Sequence, residues 1–202
     1  MKNYIFLNGN KIELTAEQVA EMGKSLGIEQ TKLSDIPAGE TFKIGIYEFI
    51  VLEHSKETTA VILKNLLHKE EQFGKSNNYE NSYIDDICND FESVISEIVG
   101  KSNLIEHTVD LTSDDGLKDY GKIRRRISLL TTNLYRRYVE TLDKYKVKEW
   151  WWLSTAYSTP THEHTFWVKC VSPSGIIYYY DYNDYNGVRP FGILNSNIFV
   201  SR

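Results

Sequence analysis

Past Glu149 the chain changes texture, and that change constrains the fold more than any other feature. Trp150-Trp151-Trp152-Leu153, Phe166 to Val171, Ile176 to Asp181 and Ile193 to Val200 are short aromatic and β-branched runs separated by turn residues, the pattern of short antiparallel strands. Pro173-Ser174-Gly175 is suited to reverse the chain between the second and third runs. Successive side chains on a strand alternate between faces, so three consecutive tryptophans cannot share one. Of Trp150, Trp151, Trp152 and Trp167, one or two are expected in the core and at least one at the surface.

Upstream, the periodicity is mixed. Ile5, Leu7, Ile12 and Leu14 flank Asn8-Gly9, a dipeptide suited to a tight hairpin turn. Thr15 with Gln18 forms a capping-box pattern ahead of Val19, Met22 and Leu26 at helical spacing, with Gly27 to end the helix. Residues 1–31 therefore read as a separable hairpin-and-helix appendage. After the turn signal Asp35-Ile36-Pro37-Ala38-Gly39, Phe42, Ile44, Ile46, Phe49 and Val51 read as one strand and Thr59 to Leu63 as a second. Between Asn81 and Val99, Ile84, Ile87, Cys88, Phe91, Val94, Ile95 and Ile98 recur at three and four, and Gly100 follows as a stop. A second helix is predicted over 132–144, with Leu134, Tyr135, Tyr138, Val139 and Leu142 inward. Residues 74–82 and 112–121 are polar enough to be mobile loops, and the four basic side chains in Lys122 to Arg126 read as a solvated loop. Together these elements make an α+β domain.

The net charge of −5 gives no electrostatic footprint for nucleic acid or an anionic membrane, which leaves a protein as the default partner. Cys88 and Cys170 each sit in an apolar pattern, as reduced core thiols do. With neither an 18-residue apolar run nor a signal-peptide core in the sequence, the expected location is the cytosol.

Set out in order, Trp151-Trp152-Leu153-Ser154-Thr155, an irregular loop, a valine-containing strand, Gly175, another strand and Gly187-Val188-Arg189-Pro190 resemble a bacterial and phage family of uncharacterised domains with a C-type-lectin-like fold. The resemblance covers residues 33–202 and implies two main helices around short antiparallel sheets. The wider fold includes the variable proteins of diversity-generating retroelements, in which a C-terminal stretch near such a Gly-Val-Arg is rewritten at adenines. All nine residues from Tyr178 to Asn186 are Tyr, Asp or Asn, the products of changing the first adenine of an Asn codon; His, the fourth product, stands at His162 and His164. The calcium-binding proline loop of sugar-binding relatives and the paired cysteines of formylglycine-generating ones have no counterpart here.

The expected ligand-binding residues are thus Tyr157, His162, His164, Trp167, Tyr178, Tyr179, Tyr180, Asp181, Tyr182, Asn183, Asp184, Tyr185 and Asn186, with Trp151, Trp152, Gly187 and Arg189 in structural roles, Arg189 through a partly buried charge pair. Tyrosine brings large contact area for few lost rotamers, and Asn and Asp add adaptable hydrogen bonds. His162-Glu163-His164 would present two imidazoles on one side of an extended segment, yet no further metal ligand is recognisable, so no metal and no cofactor is expected. No serine has nucleophile-elbow glycines around it. The expected function is non-enzymatic recognition of a macromolecule, a protein first and a glycan second, by a phage- or prophage-type binding protein. Two alternatives are a phage-encoded inhibitor of a host defence protein and an enzyme of unknown type on the same fold.

Overall fold

A computed structural model of the chain describes residues 3–7, 10–15, 18, 21 and 30–202. At the N-terminus β1 (Asn3–Leu7) and β2 (Asn10–Leu14) pair antiparallel, with Leu7 opposite Asn10. The capping box forms as its chemistry requires: the Thr15 amide donates to Gln18 Oε1 at 2.8 Å, and the Gln18 amide to Thr15 Oγ1 at 3.2 Å. The Asn8-Gly9 turn, the helix face of Val19, Met22 and Leu26, and Gly27 lie outside the described residues.

Residues 30–202 are mixed α+β and mostly strands. A larger, eight-stranded sheet has at its centre β5 (Tyr47–Ser55), flanked by β4 (Thr41–Ile44) and β6 (Thr58–Leu63). β16 (Phe191–Asn195) pairs with β6, and β17 (Phe199–Ser201) pairs with both β4 and β3 (Gln30–Lys32). The first strand of this body thus lies against its last. Residues 30 and 31, assigned above to the appendage, belong to this sheet. The predicted single strand over 42–51 is instead a hairpin: the chain turns at Gly45-Ile46, leaving Ile46 88% exposed. The apolar spacing changes parity there, from 42, 44 and 46 to 49 and 51, which is the trace the turn leaves in the sequence.

Alternation along β5 and β6 explains the layering. Phe49, Val51, Val61 and Leu63 face one cluster, under α1 (Tyr83–Val99) with its Ile84, Cys88, Phe91 and Ile95. Ile50, Leu52 and Ile62 face a second, under α2 (Thr132–Leu142) with Tyr135, Tyr138 and Leu142. Each helix is started by a side-chain cap, Ser82 Oγ accepting from the Asp85 amide and Thr131 Oγ1 from the Leu134 amide. Gly100, at φ +83°, ends α1. Val94 and Ile98, predicted inward, lie off the buried stripe and are exposed. The basic window is strand rather than loop: β10 (Lys122–Arg125) pairs with β9 (His107–Asp110). Its charges have acidic neighbours, Lys122 with Asp110, Arg124 with Glu106, and Arg125 in a two-pronged contact with buried Asp85.

The second sheet has the order β14 (Ile177–Asp181), β13 (Trp167–Val171), β12 (Trp151–Ala156), β15 (Tyr185–Val188), β7 (His68–Gln72). β12 lies at its centre and both of its faces are covered. Trp152 therefore enters the first cluster and Trp151 the second, both fully buried, with the Trp152 indole donating to the Glu71 carbonyl at 2.9 Å. Cys88 and Cys170 are free and buried, and burial pushes both thiols up to about 12. No helix among the described residues is long and apolar enough to cross a membrane.

Candidate functional site

The β13–β14 hairpin carries most of the predicted surface, and pairing register decides where each ring goes. Val168 opposes Tyr180 and Cys170 opposes Tyr178, so these share the face of Trp150 and Trp152; Lys169 opposes Tyr179 on the other face. Gly175, at φ +89°, allows the Pro173-Ser174-Gly175 reversal between the strands. On the first face Trp150 meets Tyr180 and Tyr178 edge-on at 5.0 and 5.9 Å, and Phe166 stacks on Tyr182 at 6.3 Å. On the second, Tyr157, Trp167 and Tyr179 lie within 4.9–5.3 Å of one another, and His164 stacks on Trp167. The Tyr178 and Tyr179 rings stack in parallel, 5.0 Å apart, around the strand's free edge. The result is one aromatic band wrapping β14, most of whose rings are half-buried; the Tyr178 side is the more open, at 47% exposure.

The Tyr178 to Asn186 stretch does not form a single surface. Tyr178, Tyr180 and Tyr182 share one face, Tyr179 takes the other, Asp181 to Asp184 make a turn, and Tyr185 stands 65% exposed on β15 opposite Gln72. Asn186 is 3% exposed, inside the sheet opposite Glu71, and has no place on a contact surface. In the turn the Asp181 amide donates to Asp184 Oδ2 and the Asn183 amide to Asp181 Oδ1.

The loop from Tyr157 to Trp167 is held by polar groups from the two segments expected to be mobile. Asn77 is fully buried, its Nδ2 within 2.9–3.3 Å of the carbonyls of Ser158, His164 and Trp167, while its Oδ1 accepts from Tyr120 Oη at 2.6 Å. Asp119 accepts from Thr159 Oγ1, Thr161 Oγ1 and the Thr161 amide, which hold its carboxyl below the usual range. Asp115 accepts from Ser113, Ser158 and His162, and although its partial burial acts the other way, these bonds hold its carboxyl far below the ordinary value. Both segments are polar because they bond to the loop, which is why composition alone read them as solvated. Behind Tyr157 and Tyr179, the buried Lys169 ammonium lies 5.5 and 5.7 Å from their ring centroids and 3.1 Å from Asp114.

His162 and His164 do not converge on a common point. Pro160–His162 forms a 3-10 turn and Glu163 takes φ +59°, which breaks the extended geometry expected there; His162 Nδ1 bonds to Asp115 while His164 turns to Trp167. Among the described residues no group of three or more His, Cys, Asp or Glu could hold a metal ion. Nor do Ser158, Asp115 and His162 form a proton relay. The serine and the imidazole both bond to the same carboxylate oxygen, so the imidazole does not stand between nucleophile and acid.

The residues given structural roles are buried beneath the band. Gly187 runs against β12, its amide donating to the Trp150 carbonyl at 2.7 Å. Arg189 is 1% exposed and, contrary to expectation, has no carboxylate partner among the described residues. It donates to the carbonyls of Leu63, Lys64 and Tyr145 and lies 5.3 Å over Trp151; burial lowers its pKa to about 10. Sequence reasoning left Trp150, Phe166, Lys169 and Asp114 out of the site. Trp150 and Phe166 each stand one residue before a strand, and parity made them legible, since they lie two residues from Trp152 and Val168 respectively. Asp114 carried no such signal. No protein-family model, curated protein or solved structure matches the chain.

Proposed function

We propose that the chain is a non-enzymatic recognition protein that grips a macromolecule, a protein rather than a glycan, through the aromatic band around β14. The observation that carries this reading is the union of half-exposed rings with an unusually well-tied loop. Asn77 holds the loop main chain at Ser158, His164 and Trp167, the Tyr157 amide bonds to the Trp167 carbonyl, and Lys169 backs Tyr157 and Tyr179. Aromatic side chains so fixed lose little entropy on binding, which favours their use as anchors. On the same reading residues 30–202 form a C-type-lectin-like domain. The pairing of β3 with β17 and the small sheet bearing the variable-looking residues support that assignment; the Tyr, Asp and Asn composition of residues 178–186 is what supports the further proposal of kinship to phage and prophage proteins diversified at adenines.

The test is interaction of the full chain with intact bacterial cells and with host lysate, repeated with Tyr157→Ala, Tyr178→Ala and Tyr179→Ala combined. Loss of binding with an unchanged circular dichroism spectrum is expected; retention of every interaction overturns the reading. A second reading, an inhibitor that occludes a host defence protein, draws on the buried, free Cys88 and Cys170 and on the carboxylates of Asp181 and Asp184 beside the band. Recovery of a defence nuclease from lysate, together with absence of binding to cells, would select it.

A further inference from the structure

The four outer strands of the two main sheets are treated differently. β7, at one edge of the five-stranded sheet, reads His-Lys-Glu-Glu-Gln, a charged edge of the kind that blocks further pairing. In the larger sheet the edge strands are β3, three residues long, and β11 (Ile127–Ser128), two residues long and buried. β14 is the exception. It reads Ile-Tyr-Tyr-Tyr-Asp, without lysine, proline or bulge.

The register shows which main-chain groups that edge offers. The Tyr182 amide donates to the Phe166 carbonyl and the Ser172 amide to the Ile176 carbonyl, so even-numbered residues of the strand bond inward to β13 and odd-numbered ones point away. The Asp181–Asp184 turn uses both main-chain groups of Asp181. The amides and carbonyls of Ile177 and Tyr179 remain, and no hydrogen bond among the described residues reaches them. Tyr178 and Tyr180 belong to one face of this edge and Tyr179 to the other, and the Tyr178–Tyr179 stack that curls around it must open or shift to admit a pairing strand. At its end stand Asp181 and Asp184, neither with an ion-pair partner among the described residues.

Resting on the recognition reading above, we propose that the partner supplies an extended polypeptide segment that pairs with the outer edge of β14 as a sixth strand. Main-chain bonds to Ile177 and Tyr179 hold the segment. Its alternate side chains, aromatic or β-branched, lie against the rings on the two faces, and a Lys or Arg reaches the Asp181–Asp184 turn. The acidic net charge of −5 favours such a basic segment over a second copy of this chain.

The experiment uses the full chain against a displayed library of random peptides roughly ten residues long, the length of a long strand. Peptides with alternating aromatic or β-branched residues and a basic end are expected. The best is then synthesised with single N-methyl groups at each amide in turn. Strand pairing requires alternation: methylation of amides facing β14 weakens binding about tenfold or more, the worth of roughly one main-chain hydrogen bond, while methylation of the intervening ones changes it little. Absence of selected peptides, or methylation effects without alternation, overturns the proposal. If alternation fails but Tyr178→Ala still abolishes peptide binding, edge pairing is wrong and recognition by the rings stands; if neither matters, both fall. Dimerisation of the full chain that the selected peptide dissolves would identify a second copy as the occupant and overturn the foreign segment.

Discussion

Replacing Asn77 by Asp keeps the shape of the side chain and reverses its chemistry at the point where the recognition loop is anchored. The Asn77 amide nitrogen faces three carbonyl oxygens, of Ser158 at 2.9 Å, Trp167 at 3.2 Å and His164 at 3.3 Å, in a site without solvent exposure. A carboxylate oxygen there meets those carbonyls without a proton to offer, so the group is expected to stay protonated in the native state. A carboxyl pKa raised by about 3 units, as burial among acceptors can do, corresponds to about 4 kcal/mol at pH 7. The sign follows from the direction: folded pKa above unfolded pKa means the native state holds the proton longer, so the loss is largest above the folded value and shrinks as pH falls. Near pH 4 only the missing second donor remains, about 1 kcal/mol. Urea unfolding of wild type and Asn77→Asp at pH 7 and near pH 4.5 measures the difference, and hydrogen exchange over residues 157–167 locates it. A difference independent of pH, or smaller than about 1 kcal/mol at pH 7, refutes the anchoring argument.

Three further outcomes follow from buried groups. Gly187→Ala places a Cβ 2.3 Å from Leu66 Cδ1 and 3.1 Å from the Trp150 carbonyl oxygen, and should cost about 1–3 kcal/mol in urea unfolding with part recovered by Leu66→Ala. Arg189→Met leaves the carbonyls of Leu63, Lys64 and Tyr145 without their shared donor and should lower stability by roughly 3 kcal/mol, with Arg189→Lys restoring only a fraction. Burial lowers the His107 imidazole to about 4, so it stays neutral in the native protein while the unfolded chain takes up a proton below about 6.5. Stability should therefore fall between pH 6.5 and 4 by up to about 3 kcal/mol, and His107→Gln should flatten that slope.

The sequence made the helices and the C-terminal strands legible because their signals are local. Ser82 and Gly100 bound α1, the 3.6-residue period marks its buried stripe, and the aromatic runs past Glu149 alternate as strands do. What it concealed depends on partners distant in the chain. β7 and β10 are charged because one lies at a sheet edge and the other faces acidic side chains, so neither has the apolar alternation that identifies a half-buried strand. Residues 74–82 and 112–121 looked solvated for the same reason, since Asn77 and Asp119 spend their polarity on a loop about 40 to 90 residues further along.

The site was legible in composition and not in geometry. A run of Tyr, Asp and Asn names a contact surface only if its residues face the same way, and on a strand consecutive residues cannot. Tyr178 and Tyr179 nevertheless act together because β14 is an edge strand. With no neighbour on its outer side, their rings fold around the edge and stack in parallel at 5.0 Å, joining faces that a central strand would keep apart, as β12 keeps Trp151 from Trp152. A run of three aromatic residues therefore yields core at Trp151 and Trp152 and a continuous, partly exposed band at Tyr178-Tyr179-Tyr180. The difference lies in strand order, which is a property of the whole chain. It also predicts how the band would be lost: a strand added at β14 must displace the Tyr178–Tyr179 stack or insert beside it, so quenching of tyrosine fluorescence on binding should depend on Tyr178 and Tyr179 together and be insensitive to Tyr185→Phe.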